Sequence, residues 1–163
     1  MKKTIFITGA TSGIGKATAE IFAKQGHRLI ICGRRKEVLD NLQIQLSNFT
    51  DVYSLVFDVR NQQEVQNAIN SLPEDWKNID VLVNNAGNAH GLEPISDANI
   101  SDWDAMMDGN VKGLLYVSQP IIKLMKANNS GHIVNISSVA ARQTYANGTV
   151  YCASKKAVDV ISE

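Results

Sequence analysis

Tyr151 and Lys155 stand four residues apart and could move a proton between them. A spacing of four puts both side chains on one face of a helix. A phenol with an ordinary pKa of about 10 is a poor acid or base at neutral pH. A neighbouring ammonium stabilises the phenolate and lowers that value, as general acid–base catalysis requires. Alone the pattern is weak, because tyrosine and lysine share many solvated helix faces. Its weight comes from two further clusters in the chain.

The first is Thr8-Gly9-Ala10-Thr11-Ser12-Gly13-Ile14-Gly15, which sits between a strand-like run and a helix-like run. Gly9 permits a tight turn, Gly13 lets backbone approach a pyrophosphate, and Gly15 lets the helix pack closely on the strand. The N–H groups and partial positive charge of a helix N-terminus then face the phosphates. A plain tight turn is the competing reading, and three glycines with hydroxyls between them speak against it. The second cluster lies about 20 residues on, where an NAD site places a carboxylate for the ribose hydroxyl. Here the chain has Gly33-Arg34-Arg35. Two guanidinium groups bind a phosphate dianion in a fork, whereas a carboxylate would repel it. Arg34 and Arg35 are therefore expected to clamp the 2′-phosphate of NADP. Their other possible role, as solvated charges opening a helix, is disfavoured by the helix dipole.

The elements that must hold these residues alternate. Apolar, β-branched strands are expected at Thr4–Thr8, Arg28–Cys32, Val52–Phe57, Ile79–Val83 and Gly131–Ile136. Helical periodicity is expected from Ile14 to Gln25, with Gly26 as its C-terminal cap, and from Lys36 to Leu46, with Val38, Leu39, Leu42 and Leu46 as the apolar stripe. Asn61 caps the next helix with Glu64 at the reciprocal position; Val65, Ala68, Ile69 and Leu72 face inward until Pro73. A long helix runs from Ser101 to Ala127, kinked at Pro120. The last begins near Val150 and is still running at Glu163. Such alternation implies an α/β fold, a doubly wound, Rossmann-like parallel sheet with helices on both faces and ligands beyond the carboxyl ends of the strands.

Bulk properties narrow the function classes. The 163 residues are one-domain length, so residues 1–163 are read as a single NADP-binding domain. Hydrophobic residues make up 44% and charged residues 20%, an ordinary globular balance. Sixteen basic and sixteen acidic side chains cancel, so no nucleic-acid partner is expected. No apolar run approaches the roughly 20 residues of a membrane span, and the apolar stretch after Lys2-Lys3 is too short for a signal peptide. Cys32 and Cys152 lack metal-ligand spacing and are expected as reduced, packed thiols in a cytoplasmic protein. His27, His90 and His132 are scattered, and no metal site is expected. Trp76, Trp103, Met106 and Met107 read as packing residues, some of them on a subunit face.

Taken in order, the TGxxxGxG loop, Asp58-Val59, Asn84-Asn85-Ala86-Gly87, Asn110, Ser138 and Tyr151-x-x-x-Lys155 resemble the motif series of the short-chain dehydrogenase/reductase family over the whole chain. Within the family the chain most resembles bacterial NADP-dependent 3-hydroxy acid dehydrogenases, which act on serine, allo-threonine and similar acids. The Gly33-Arg34-Arg35 turn, Leu72 to Trp76 and the stretch from Asn85 to Pro94 carry it. The resemblance implies an oxidoreductase that moves a hydride between NADP and a small-molecule carbonyl or secondary alcohol. It assigns cofactor contacts to Gly9, Thr11, Ser12, Gly13, Ile14, Gly15, Arg34, Arg35, Asp58, Val59, Asn85, Ala86, Gly87, Tyr151 and Lys155. Asp58 would meet the adenine. Asn110, Ser138, Tyr151 and Lys155 would be the catalytic set, with Ser138, rather than its neighbour Ser137, joining Tyr151 on the substrate oxygen. Asn110 would bend its helix and hold a water that relays protons to the lysine.

Members of that family continue for two more strands and the helices that cover the substrate. The resemblance therefore implies a sheet truncated after the fifth strand and the start of the next helix, incomplete at the C-terminus. A non-catalytic NADP-binding module, or an inactive fragment of such an enzyme, is the alternative expectation. Family assembly implies a homo-oligomer, dimer or tetramer. Leu114, Leu115, Ile121, Ile122 and Met125 exceed one intrachain stripe and could supply a subunit face. Ile133, Val134 and Ile136 on an open edge strand would favour self-association of the 163-residue chain.

Overall fold

Strands apolar at every position must be covered on both faces, and the order of elements shows how this chain does it. The computed structural model describes residues 2–163. It contains β1 (Thr4–Ile7), α1 (Gly13–Lys24), β2 (Arg28–Gly33), α2 (Lys36–Leu46), β3 (Val52–Val56), α3 (Gln62–Asn70), β4 (Val81–Asn84), α4 (Ile100–Met107), α5 (Gly113–Ala127), β5 (His132–Asn135) and α6 (Thr149–Ser162). All strand pairs are parallel, in the order β3-β2-β1-β4-β5. This is the doubly wound α/β sheet expected from the alternation. Its order reverses between β1 and β4, the point at which such sheets open a crevice.

Side-chain alternation sorts the core into two layers. Ile5, Ile7, Leu29 and Ile31 pack with Ala19 and Ala23 of α1 and Leu39, Leu42 and Leu46 of α2. Phe6, Ile30 and Cys32 point the other way, onto Val65 and Ile69 of α3 and Val117, Ile121 and Met125 of α5. Gly26 ends α1 as expected, at φ +80°, with its N–H on Ala23 O and that of His27 on Phe22 O. Trp76 packs against Tyr53, and the Arg28 guanidinium lies 4.1 Å over its ring. Cys32 and Cys152 are free and buried.

Several local expectations need correction. Val38 is exposed, so α2 buries only three of its four expected stripe residues. Asn61 caps α3 through Gln63 N and Glu64 N, but the Glu64 carboxylate accepts the Asn61 side-chain amide and Asp58 N instead of closing the box on Asn61 N. The helix expected to run from Ser101 to Ala127 breaks into α4 and α5 at a π turn, Asp108–Lys112, and stays helical through Pro120. The π turn at Asp108–Lys112 is held by bonds to a distant loop, described below. Leu114, Ile121 and Met125 belong to the core, which leaves Leu115 exposed and Ile122 half-buried on the outer face of α5. Other element ends fall within about two residues of expectation, the usual spread. No helix among the described residues is long and apolar enough to cross a membrane.

Candidate functional site

β1 delivers its chain into a loop braced from the side by the strand next to it. Thr8 Oγ1 accepts the N–H groups of Asn85 and Ala86, each at 3.0 Å. In return the Asn85 side-chain amide donates to Thr8 O at 3.0 Å and Gly9 O at 3.1 Å. Gly9 has φ +63°, and a Cβ there would sit 2.9 Å from Ala86 Cα. A Cβ on Gly15 would collide with both Asn85 Nδ2 and Gly9 O. These glycines are therefore needed for contact between the loop and the Asn84–Gly87 segment, a constraint additional to ligand approach. Gly13, by contrast, has open space where its Cβ would be.

A cleft of about 680 Å³ opens above this junction. Among the expected residues, Gly9, Thr11, Ser12, Ile14, Arg34, Arg35, Asp58, Val59, Asn85, Ala86, Gly87, Tyr151 and Lys155 line it. Gly13 and Gly15 lie in the turn behind, while Asn110 and Ser138 lie outside the lining. Ser137 lines the cleft, but its hydroxyl donates to Lys155 O at 3.1 Å. Ser138 Oγ accepts Ala140 N at 3.1 Å and caps the short helical turn Val139–Ala141.

Charge dominates one end. The Arg35 guanidinium donates to Thr11 Oγ1 at 3.0 Å, so it turns toward the glycine loop rather than along α2. Arg34 Nη1 lies 3.5 Å from Asp58 Oδ2 without a hydrogen bond. Asp58 is instead gripped by Arg60, a residue the sequence reading passed over. Nε lies 3.1 and 3.0 Å from the two carboxylate oxygens, Nη2 lies 2.6 Å from Oδ2, and the Arg60 N–H reaches Oδ1 at 3.0 Å. Burial alone would raise the Asp58 pKa, but the Arg60 hydrogen bonds and the Arg60 and Arg34 charges outweigh it and hold the carboxyl below its ordinary range. The available signal was a carboxylate and a guanidinium two residues apart at a strand end.

The other end is packed and nearly uncharged. Lys155 is buried and donates to Ile136 O at 3.0 Å, and that burial pulls its pKa below the ordinary ammonium value. Its Nζ stands 5.9 Å from the centre of the Tyr151 ring, one helical turn away. Asn110 ties the π turn to the loop after β4 and to α6. Its Oδ1 accepts Asn88 N at 2.8 Å, and its Nδ2 donates to Asn88 O and Ser154 Oγ, each at 2.9 Å. Ser154 in turn donates to Tyr151 O at 2.8 Å. Asn88 and Ser154 were not anticipated, since a loop asparagine and a helix serine carry no signal of their own. Gly87 is the crossing point: a Cβ there would lie 2.9 Å from Asn110 Oδ1 and 3.4 Å from Lys155 Nζ.

The first turn of α1 has no side-chain cap and no acidic residue. Its free N–H groups and the two arginines beside them suit a ligand carrying phosphates at two points. A dinucleotide with an additional phosphate on its adenosine ribose fits that donor set.

A sequence model describing short chain dehydrogenases matches residues 3–163. The NADP-dependent 3-hydroxy acid dehydrogenase of Escherichia coli strain K12 is 44% identical over 151 residues, which are 93% of this chain and 60% of that protein. A structure of serine dehydrogenase complexed with NADP+ superposes with a TM-score of 0.92 at 43% identity, covering 98% of this chain and 63% of the other. NAD+-bound xylitol dehydrogenase gives a TM-score of 0.93 at 29% identity, with 98% and 62% covered. The chain spans about 60% of the length of the curated relatives it matches. NAD+ and NADP+ complexes superpose on it about equally well, so backbone likeness does not select the cofactor.

Proposed function

The chain belongs to the short-chain dehydrogenase family, and from that membership we propose that its cleft binds NADP and serves hydride transfer to or from a small 3-hydroxy acid, such as serine or allo-threonine. The observation that carries the reading is the pairing of two ends in one cleft: Arg34 and Arg35 at the close of β2, and Tyr151 with Lys155 on α6. The likeness to a 3-hydroxy acid dehydrogenase and a serine dehydrogenase supports the substrate class.

In this reading the α1 N-terminus holds the pyrophosphate, Arg34 and Arg35 hold the 2′-phosphate, and Asp58 and Val59 border the adenine. When bound, the nicotinamide supplies or accepts the hydride. Tyr151 moves the proton at the substrate oxygen. Ser138 Oγ already accepts a bond from Ala140 N, which leaves its hydroxyl hydrogen to steady that oxygen as charge develops. Lys155 has three protons, of which one is committed to Ile136 O; the others are free for the phenol and the ribose hydroxyls. Asn110 fixes the π turn against Asn88 and Ser154, which places the loop after β4 beside Lys155.

We further propose that residues 1–163 act as one cofactor-binding domain, in the cytoplasm, where the free thiols Cys32 and Cys152 stay reduced. Assembly into a dimer or tetramer would use the exposed apolar residues of α4 and α5, Ile100, Met107 and Leu115.

Calorimetry tests the cofactor assignment. NADP should bind at least about tenfold more tightly than NAD, about 1.4 kcal/mol, and Arg34→Ala with Arg35→Ala should narrow the gap. Equal affinities in the unmodified protein would sink it.

A further inference from the structure

The charged end of the cleft holds three guanidinium groups and one carboxylate, and their bonding is uneven. Asp58 has about four lone-pair positions on its two oxygens. Arg60 engages both oxygens with three N–H groups, its backbone N–H, Nε (shared between the two oxygens) and Nη2, at 2.6 to 3.1 Å. Arg34 is left at 3.5 Å with no hydrogen bond to that carboxylate, and its side chain is 63% exposed against 39% for Arg60. Arg35 is engaged elsewhere, on Thr11 Oγ1. Asp58 is also anchored through its backbone, whose N–H donates to Glu64 Oε2 at 3.0 Å. The carboxylate therefore stays beside Arg34 whether or not Arg60 is present.

That proximity is a hazard for phosphate binding. Without Arg60, the best partner for Asp58 becomes Arg34, the nearer of the two expected clamp residues. A guanidinium forked onto an internal carboxylate has fewer donors and less net charge to offer an incoming dianion. With Arg60 in place, the four side chains sum to two positive charges and Arg34 keeps its fork free.

We propose that Arg60 is a specificity-determining residue for the 2′-phosphate: it occupies the Asp58 carboxylate and so keeps Arg34 available. Arg60 acts through Asp58 and Arg34 and need not touch the ligand. The inference rests on the NADP reading above, so its test must separate the two.

Two probes do so by calorimetry, adenosine 2′,5′-bisphosphate and adenosine 5′-monophosphate. The unmodified protein should prefer the bisphosphate. Arg60→Gln should weaken bisphosphate binding about tenfold and monophosphate binding less than about twofold. Adding Asp58→Asn to Arg60→Gln should recover most of the lost preference, because the competitor for Arg34 is then neutral. If Arg60→Gln weakens both probes equally, Arg60 merely shapes the pocket and the proposal fails. A double variant as weak as the single one would mean that Arg60 contacts the phosphate directly, which also overturns it. Should the unmodified protein show no preference for the bisphosphate, the NADP reading itself falls before any variant is made.

Discussion

Arg34 at one end of the cleft is 63% exposed, and Lys155 at the other is 6% exposed. Both are cations that line the same cleft, yet they are held in different ways. Around Arg34 the side chains are long, wet and able to exchange partners: Arg34, Arg60 and Asp58 lie within reach of one another. Lys155 Nζ is held by the backbone carbonyl of Ile136, and nearby Asn110 is locked by three bonds to Asn88 and Ser154. An exposed end of this kind tunes which ligand binds, since charge acts at a distance and tolerates small movements. Under the proposed function the buried end would fix where atoms react, because proton transfer needs donor and acceptor within hydrogen-bond reach.

The largest test of this contrast is chemical. In a polypeptide of full family length, Tyr151→Phe should cut turnover by about 10²–10⁴-fold while leaving NADP affinity nearly unchanged. Steady-state rates and calorimetry on the same preparation check it. A variant with near-normal turnover would remove Tyr151 from the role of acid and base and, with it, the division between a binding end and a reacting end.

Stability offers a second, smaller test. Asn110→Ala strips partners from Asn88 N, Asn88 O and Ser154, and should destabilise the fold by about 2–3 kcal/mol, the penalty for stranding buried polar groups. Arg35→Ala should change it by less than about 0.5 kcal/mol, as exposed substitutions do. Urea unfolding of the two variants side by side decides the matter; comparable losses would show that the charged end is as structural as the buried one.

The smallest effect expected is one of pH. Asp58 has a lowered pKa in the folded protein, so its contribution to stability is present above its unfolded value of about 3.9 and lost only as pH falls through the lower, folded one. The Arg60–Asp58 pair therefore persists through pH 5. A 2′-phosphate, whose second ionisation lies at about 6, does not keep its full charge there. The preference for adenosine 2′,5′-bisphosphate over the 5′-monophosphate should thus narrow between about pH 8 and 5 with no loss of folded protein by circular dichroism. Loss of structure over that window would mean that Asp58 titrates with the ligand.

The same contrast explains what could be read from the sequence. The strands were legible because burial on two faces leaves a largely apolar record, clearest in Thr4–Ile7 and in Leu29–Cys32. The glycine loop, Arg34 and Arg35 were legible because backbone crowding and phosphate charge each demand one residue type. Arg60 was not, since an arginine before a helix cap looks the same whether it is solvated or grips a carboxylate. Asn88 and Ser154 were hidden for a related reason: their partner, Asn110, lies 22 and 44 residues away. The π turn at Asp108–Lys112 falls where the family resemblance put a bend at Asn110; its bonds to Asn88 and Ser154, distant in the chain, left no local record.

That π turn also sets how the gene for this chain can be edited. A π turn carries one residue more than the α-helix needs, and each residue in a helix accounts for about 100° of rotation. Excising a single codon between Asp108 and Lys112 would yield a regular helix and satisfy every local propensity. It would also rotate α4 against α5 by that angle, swinging Met106 out of the interior while Leu114, Val117, Ile121 and Met125 stay in place. The surplus residue thus acts as a phase shifter between two apolar stripes, and this helix resists deletion most where it is least regular.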